Sequence, residues 1–366
     1  IVVNSSWQAY NFRLNLAKHL DLQGYKIIFM APTDNYYSNI IKQKYDFFNI
    51  QLQANGSNPI KDFILFIQLI ILFHKIKPDL VLNFTIKPNI YSTLAASLLN
   101  IFSICNITGL GTVFIKRNFL TKIVIKLYRL SLHRSSKIFF QNNDDMSLFL
   151  DKNIGKLENC ILVPGSGVDT IKFSPSIRNI RDDSNFRFLI VSRLLKEKGV
   201  FEFIEAARFL KQKYNHLEFW AVGETNPYNK SSLTKPEINK LSNEGVINFF
   251  ERTDDINFYL NRVDCVVLPS YREGSPRSIM EASASALPVI VSDVPGCRQV
   301  VDNNITGLYC EVKNGIDLAD KMELIYKMST EERQVMGIKG RKKMIEQYDE
   351  LIVFKTYSQE ITNLFS

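Results

Sequence analysis

Short apolar, β-branched runs recur along the whole chain, each separated from the next by a stretch long enough for a helix. The pattern predicts strands at 1–4, 26–30, 80–83, 137–140, 186–191, 218–222, 263–268 and 289–291. Helix-length segments lie between them, among them 11–22, 200–214 and 276–286. Continuous apolar strands alternating with helices imply parallel sheets covered on both faces, because each crossover lays a helix on the sheet. The alternation continues on both sides of the polar stretch 176–185, which has no core-forming run and reads as an interdomain linker. The expectation is α/β: two doubly wound domains, about 1–175 and 186–345, in a chain of 366 residues. Each sheet would bind ligands outside the carboxyl ends of its strands, so a cleft between the domains is the expected active site.

Composition removes several other classes. At 46% apolar and 22% charged, the chain is neither disordered, collagen-like nor a disulfide scaffold. No apolar run reaches the roughly 20 residues of a bilayer-spanning helix. The nearest, 63–73, is eleven residues interrupted by Gln68 and fits a buried or interfacial helix. The first residues read as a core strand and not as a cleavable leader. Cys105, Cys160, Cys265, Cys297 and Cys310 are scattered, with no CxxC pair, which suits idle thiols in a reducing cytoplasm. Four scattered histidines suggest no metal cluster.

The net charge of +8 belongs to one segment. Between Asp79 and Asp144 there is no Asp or Glu, while Lys87, Lys116, Arg117, Lys122, Lys126, Arg129, Arg134 and Lys137 are all positive. Lys122, Lys126, Arg129 and His133 step by four, three and four, which places them on one helical face beside Ile123, Val124, Leu127 and Leu130. A basic amphipathic helix of this kind suits a membrane surface. An ordinary solvated face is the other reading. Nucleic acid is not expected, since no stacking platform or nucleic-acid motif accompanies the charge.

Two loops hold the candidate chemistry. In YREGSPRSIMEASASALP (271–288) a strand ends at Leu268, and a helix is expected with Ser275 as N-cap and Pro276 at its first position. Helical order should stop near Ala286, ahead of Leu287-Pro288. Glu273 then sits in the loop, while Glu281 lies in the second turn on the face of Arg277 and Ser278. Amides at such a helix start receive phosphate or sugar oxygens, and carboxylates beside them bind hydroxyls. In FLIVSRLLKEKGV (188–200), Arg193 leaves the carboxyl end of an apolar strand and Lys198 follows five residues later. Two cations there suit a diphosphate leaving group. A capped helix with surface glutamates and two ordinary loop cations are the structural alternatives, and Lys196 shows that cations are common here.

The spacing of Glu273 and Glu281 resembles the E-x7-E motif of retaining glycosyltransferases of family 4, and Arg193 with Lys198 resembles that family's cationic pair. Pro164-Gly-Ser-Gly-Val-Asp169 followed by Phe173-Ser-Pro175 is similar to its interdomain signature, with Ser166 where Asn is usual. Val222-Gly223 looks like its strand-end glycine. The likeness spans nearly the whole chain and implies a GT-B fold, two Rossmann-like domains facing across a cleft. It implies the acceptor on 1–175, the donor nucleotide on 186–345, and 346–366 as a helix crossing back to the N-terminal domain. It puts Arg193, Lys198 and Glu273 at the reacting bond. Gly223, Arg252, Gly274, Ser275, Pro276 and Glu281 fall at the nucleotide-sugar, and Lys87, Lys122, Lys126 and Arg129 on the membrane or acceptor side. More narrowly, NFTIKPN (83–89), ITGLG (107–111), LPSYREG (268–274) and Tyr348-Asp349 resemble the branch that adds N-acetylhexosamine to undecaprenyl-diphosphate-linked sugars.

The resemblance therefore implies a UDP-sugar donor and a polyprenyl-diphosphate-linked acceptor, used in surface-polysaccharide synthesis such as that of O-antigen. It implies an enzyme in the cytoplasm, peripheral on the inner face of the cytoplasmic membrane. Two departures stand out. Ser5-Ser6-Trp7-Gln8-Ala9-Tyr10 replaces the family's Gly-Gly loop, and 104–111 offers no His near the reacting carbon. With no side-chain base identifiable, the implied front-face mechanism lets the departing phosphate oxygen take the acceptor proton. No D-x-D occurs, so no metal cofactor is expected and the cationic pair replaces it. A GT-B nucleotide-sugar 2-epimerase and a non-catalytic binding protein of the same fold remain alternatives.

Overall fold

Every ladder between strands in the computed structural model is parallel. The structure describes residues 1–53, 58–109, 119–175, 185–225, 229 and 231–366. Residues 176–184 of the expected linker, Leu110 and Gly111 of the ITGLG stretch, and Lys116 and Arg117 lie outside the described residues. The chain divides into two units, Ile1–Ser166 with Val353–Ser366, and Gly167–Ile352.

The first unit has strands β1 (Ile28–Ala31), β2 (Asp46–Asn49), β3 (Leu80–Phe84), β4 (Phe102–Ile107), β5 (Lys137–Phe140) and β6 (Cys160–Leu162). The expected strand at 1–4 is reduced to bridges at Val2, which pairs in parallel with Met30 on one side and Asn83 on the other. The order is thus β2-β1-Val2-β3-β4-β5-β6. One face carries helices α1 (Pro59–Ile76), α2 (Thr93–Leu98) and α3 (Phe119–Leu132), packed through Leu65, Leu69, Phe73, Ala95, Ala96, Tyr128 and Leu132. The opposite face is covered by Leu16, Ala17 and Leu20 together with Val353, Phe354 and Tyr357. α1 starts sharply because the Asn58 side chain accepts from the Ile60 and Lys61 amides, with Pro59 at the first position. It stops where Lys77 turns left-handed at φ 52°.

The second unit has β7 (Phe186–Val191), β8 (Leu217–Val222), β9 (Asn248–Phe250), β10 (Cys265–Leu268), β11 (Val289–Ser292) and β12 (Leu308–Cys310). Their order is β9-β8-β7-β10-β11-β12. Numbered within the unit this is 3-2-1-4-5-6, the dinucleotide-binding arrangement, whose direction reverses between its first and fourth strands. Both faces are buried, as the continuous apolar runs require. Phe188, Ile190, Cys265 and Val267 enter one core, and Leu189, Val266 and Leu268 the other.

Candidate active site at the switch point of the second sheet

The reversal in strand order lies between β7 and β10, which pair at Cys265–Phe188 and Val266–Leu189. Chain leaving those two strands diverges to opposite faces, which opens a crevice at the carboxyl edge. The two loops singled out in the sequence are the ones that leave β7 and β10. Arg193 lies two residues past β7, Lys198 closes the following turn, and Glu273 lies five residues past β10.

Lys198 and Glu273 lie 75 positions apart in the chain, yet their loops form one structure. Lys198 Nζ donates to Glu273 Oε1 at 2.6 Å, with the side chains only 22% and 11% exposed. Gly199, at φ 73°, lets the chain turn hard against the Pro269 carbonyl, where a Cβ has no room. The Tyr271 amide donates to the Glu197 carbonyl at 3.0 Å, and its hydroxyl donates to Glu202 Oε1 at 2.6 Å. Burial, aided by Glu202, pushes the Tyr271 phenol well above its ordinary range, so it stays a donor. Arg193 is exposed at the rim of this assembly.

The helix after β10, α4 (Arg277–Ala284), starts differently from the sequence expectation. Pro276 is its N-cap, in extended conformation at ψ 106°, and Arg277 is its first residue. The Pro276 carbonyl accepts from the Ile279 and Met280 amides at 3.2 and 3.1 Å. Ser275 therefore does not cap; its Oγ lies 3.6 Å from Met280 Sδ, one residue too early to reach the helical amides. The helix also ends two residues sooner than expected, with Ala286 left-handed at φ 55°. Glu281 Oε1 accepts from Arg277 Nε at 2.8 Å. Burial pushes the Glu281 carboxyl above the usual carboxylate range, opposed by Arg277 and Lys172.

The rest of the edge follows from β8 and β9. Gly223 passes so close to the Ser192 carbonyl that no side chain fits, which holds the β7 and β8 exits together. Arg252, two residues past β9, pairs with Glu224 at 3.1 Å on an exposed surface. Sequence reasoning missed several supports: Glu197, Glu202, Lys172 and Gly296. At Gly296 a Cβ would strike the carbonyls of Glu273 and Gly274, so this glycine lets helix α5 (Pro295–Val300) brace the loop. Their only signal is distance in space, which a single sequence does not carry.

The expected membrane-side residues lie in the first unit and play different roles there. Lys122 and Lys126 are exposed on α3. Arg129, one turn on, donates from Nη2 to the Lys152 carbonyl at 2.7 Å and from Nε to the Asn153 carbonyl at 3.2 Å. It thus ties α3 to the end of the helix Asn143–Asp151. Lys87 is withdrawn into an ion pair with Asp62 at 2.6 Å.

Residues 173–343 match the model for glycosyl transferases group 1, and residues 2–142 match that for glycosyl transferase 4-like proteins. The N,N'-diacetylbacillosaminyl-diphospho-undecaprenol alpha-1,3-N-acetylgalactosaminyltransferase of Campylobacter jejuni is 29% identical over 95% of this chain and 94% of its own length. A UDP-Gal:alpha-D-GlcNAc-diphosphoundecaprenol alpha-1,3-galactosyltransferase of Escherichia coli is 27% identical over 70% of this chain and 68% of its own. Among solved structures, Anabaena Alr3699/HepE in complex with UDP and glucose superposes with a TM-score of 0.79 at 15% identity, covering 99% and 98% of the two chains. Two parallel sheets, a strand-order switch point in the second and family models over both units together identify the chain as a member of the group 1 glycosyltransferases, family 4, with the GT-B fold.

Proposed function

We propose that the protein transfers an N-acetylhexosamine, GalNAc first among candidates, from a UDP-sugar to an undecaprenyl-diphosphate-linked saccharide, with retention. The product would enter a bacterial surface polysaccharide, and the enzyme would work at the inner face of the cytoplasmic membrane. The observation that carries this reading is the Lys198–Glu273 pair at the switch point, with Arg193 on its rim and Glu281 paired with Arg277 one turn into α4. The relatives named above act on diphospho-undecaprenol acceptors, which supports the acceptor class.

The chemistry follows from the arrangement. Arg193 and Lys198 meet the diphosphate, whose negative charge grows as the sugar–phosphate bond breaks, and fixed cations there stabilise the transition state more than the ground state. Glu281 accepts the ribose hydroxyls. Glu273 takes the sugar's hydroxyls and, through Lys198, stays in register with the leaving group. Arg252, Gly223, Gly274, Ser275 and Pro276 complete the donor pocket, Gly274 by letting backbone approach the sugar. The acceptor hydroxyl gives its proton to the departing phosphate oxygen.

The test is a donor screen by mass spectrometry, in which UDP-sugars and a lipid-diphosphate sugar are incubated with the enzyme in EDTA. A longer glycolipid is the expected product. An epimerised nucleotide sugar, or no conversion of any donor, would overturn the reading; a strict need for added metal would overturn the cationic-pair chemistry.

A further inference from the structure

α1 is apolar on the side that the sheet does not cover. Leu65, Leu69 and Phe73 face the core. Ile60, Phe63, Ile64, Ile67 and Ile71 all face outward, with Ile60, Phe63 and Ile71 72%, 63% and 61% exposed. Their spacing of three and four residues makes one continuous stripe, about 16 Å long at 1.5 Å per residue. An outer face this apolar is unusual on a helix that already buries its other side.

The charge around the stripe says what it meets. Asp62 is the sole acid in α1, and it is turned inward: Lys87 pairs with Oδ1 at 2.6 Å, and the Tyr91 hydroxyl donates to Oδ2 at 3.2 Å. The outward face is left with Lys61 near one end and His74 and Lys75 at the other, all exposed. The two neighbouring helices on the same sheet face come from the acid-free segment 80–143. α2 exposes Leu98, and α3 exposes Lys122, Ile123, Lys126 and Leu130. Helices α1, α2 and α3 thus present aliphatic side chains bracketed by cations and no outward carboxylate; the exposed Asp144 and Asp151 of the same layer belong to the neighbouring helix Asn143–Asp151. A second copy docked through these three helices would set lysines against lysines, with no outward acid on α1, α2 or α3 to meet them. An anionic lipid surface supplies both an apolar interior and the opposite charge.

We propose that this layer is the membrane-inserting face of the protein, with the α1 stripe entering the headgroup–acyl boundary of an anionic bilayer and the lysines resting on the phosphates. The proposal rests on the lipid-linked acceptor proposed above and adds the surface and its mode of attachment. It also explains the inward pairing of Asp62: an outward carboxylate there would meet both hydrocarbon and anionic headgroups.

The experiment compares the full chain with Ile60→Gln/Phe63→Gln/Ile71→Gln on vesicles of phosphatidylcholine and phosphatidylglycerol in equal parts. Gln is a better helix former than Ile or Phe, and the three positions are exposed, so the fold is kept. Burying one such side chain is worth a factor of roughly ten to a hundred. The triple variant should therefore partition at least about a hundredfold less, and high salt should not rescue or mimic the loss. UDP affinity and transfer to a short-chain, water-soluble diphosphate-sugar acceptor should match the parent. Equal vesicle binding by parent and variant overturns the proposal and leaves the transfer reading intact. A parent that dimerises through this face, becoming monomeric in the variant with vesicle binding unchanged, also overturns it. Absence of transfer to either acceptor by the parent would instead sink the functional reading, whatever the vesicles show.

Discussion

The two units share one strand order but build opposite chemistry at the carboxyl edge. In the second unit the edge is ionic: Lys198–Glu273, Arg277–Glu281 and Arg252–Glu224 pair cation with carboxylate. In the first, the ends of β3 and β4 carry amides. Asn83 donates to Thr93 Oγ1 at 3.1 Å, Asn89 to the Asn106 carbonyl at 2.8 Å, and Asn106 to the Tyr357 hydroxyl. Each NH2 group is held, while Oδ1 of Asn83, Asn89 and Asn106 is buried with no partner among the described residues, so this edge is polar and neutral but only half satisfied. In the proposed reading the ion pair at the crevice has a further property: the Lys198 ammonium has three donors and can receive a phosphate while it keeps Glu273. One architecture thus supplies a neutral amide edge and an ionic one, and the difference lies in a handful of side chains.

Lys198→Ala should break the comparison most severely. It removes a cation from the diphosphate and leaves Glu273 mostly buried without its partner, and breaking a buried pair costs about 3 kcal/mol or more. Turnover should fall more than about a hundredfold, at 1.36 kcal/mol per tenfold, and chemical denaturation should show the lost stability. Adding Glu273→Gln should recover much of the stability and none of the turnover. Unchanged stability in the single variant would mean that the pair is incidental.

Arg193→Ala separates the two effects. Its side chain is exposed at the rim, so denaturation curves should overlay those of the parent. A hydrogen bond to a charged group is worth about 1.5–3 kcal/mol, so turnover should fall roughly tenfold to a hundredfold. Parent-like kinetics would remove Arg193 from the site.

Much of this was legible because central strands are uniformly apolar and declare themselves. β7, β10 and β11 are buried nearly throughout. The edge strands β2 and β9 were missed for the converse reason: they are short and partly exposed. β4, FSICNI, is central yet was missed, since buried Ser103 and Asn106 interrupt its apolar run; Asn106 donates to the Tyr357 hydroxyl, a contact that no periodicity announces. In the site, each loop was legible alone as a strand exit bearing charge. The Lys198–Glu273 contact was not, nor was Arg129's hold on a neighbouring helix, because both depend on chain brought together by the fold.

Glu281→Gln tests whether the ionic edge divides its labour. UDP affinity should drop roughly tenfold, while Glu273→Gln should spare it and impair transfer. In the parent, UDP affinity should weaken as pH falls through the raised Glu281 value, at higher pH than an ordinary carboxylate would allow; the Gln variant should lose this dependence. The sign for stability is opposite. Since the folded carboxyl binds its proton more tightly than the unfolded one, this group's contribution declines as pH rises through the raised value, and Gln should remove the decline. Equal losses of UDP affinity for Glu273→Gln and Glu281→Gln by calorimetry would refute the division.

A last contrast belongs to the first unit's outer charge. Lys122 and Lys126 stand on the helical layer that also bears the α1 stripe, and a cation near anionic lipid contributes about 1 kcal/mol. Arg129 is left out, because its guanidinium holds backbone carbonyls and its loss would disturb the packing. Lys122→Glu/Lys126→Glu should therefore weaken binding to anionic vesicles by roughly thirtyfold or more, the reversed charges adding repulsion to the lost attraction. Raised salt should shrink the gap between parent and variant, since exposed charges are screened within a Debye length of about 10 Å at 0.1 M. UDP affinity should not move, as the ionic edge belongs to the other unit. A gap that persists at high salt would assign the lysines a packing role, and no gap at any salt would return them to an ordinary solvated face.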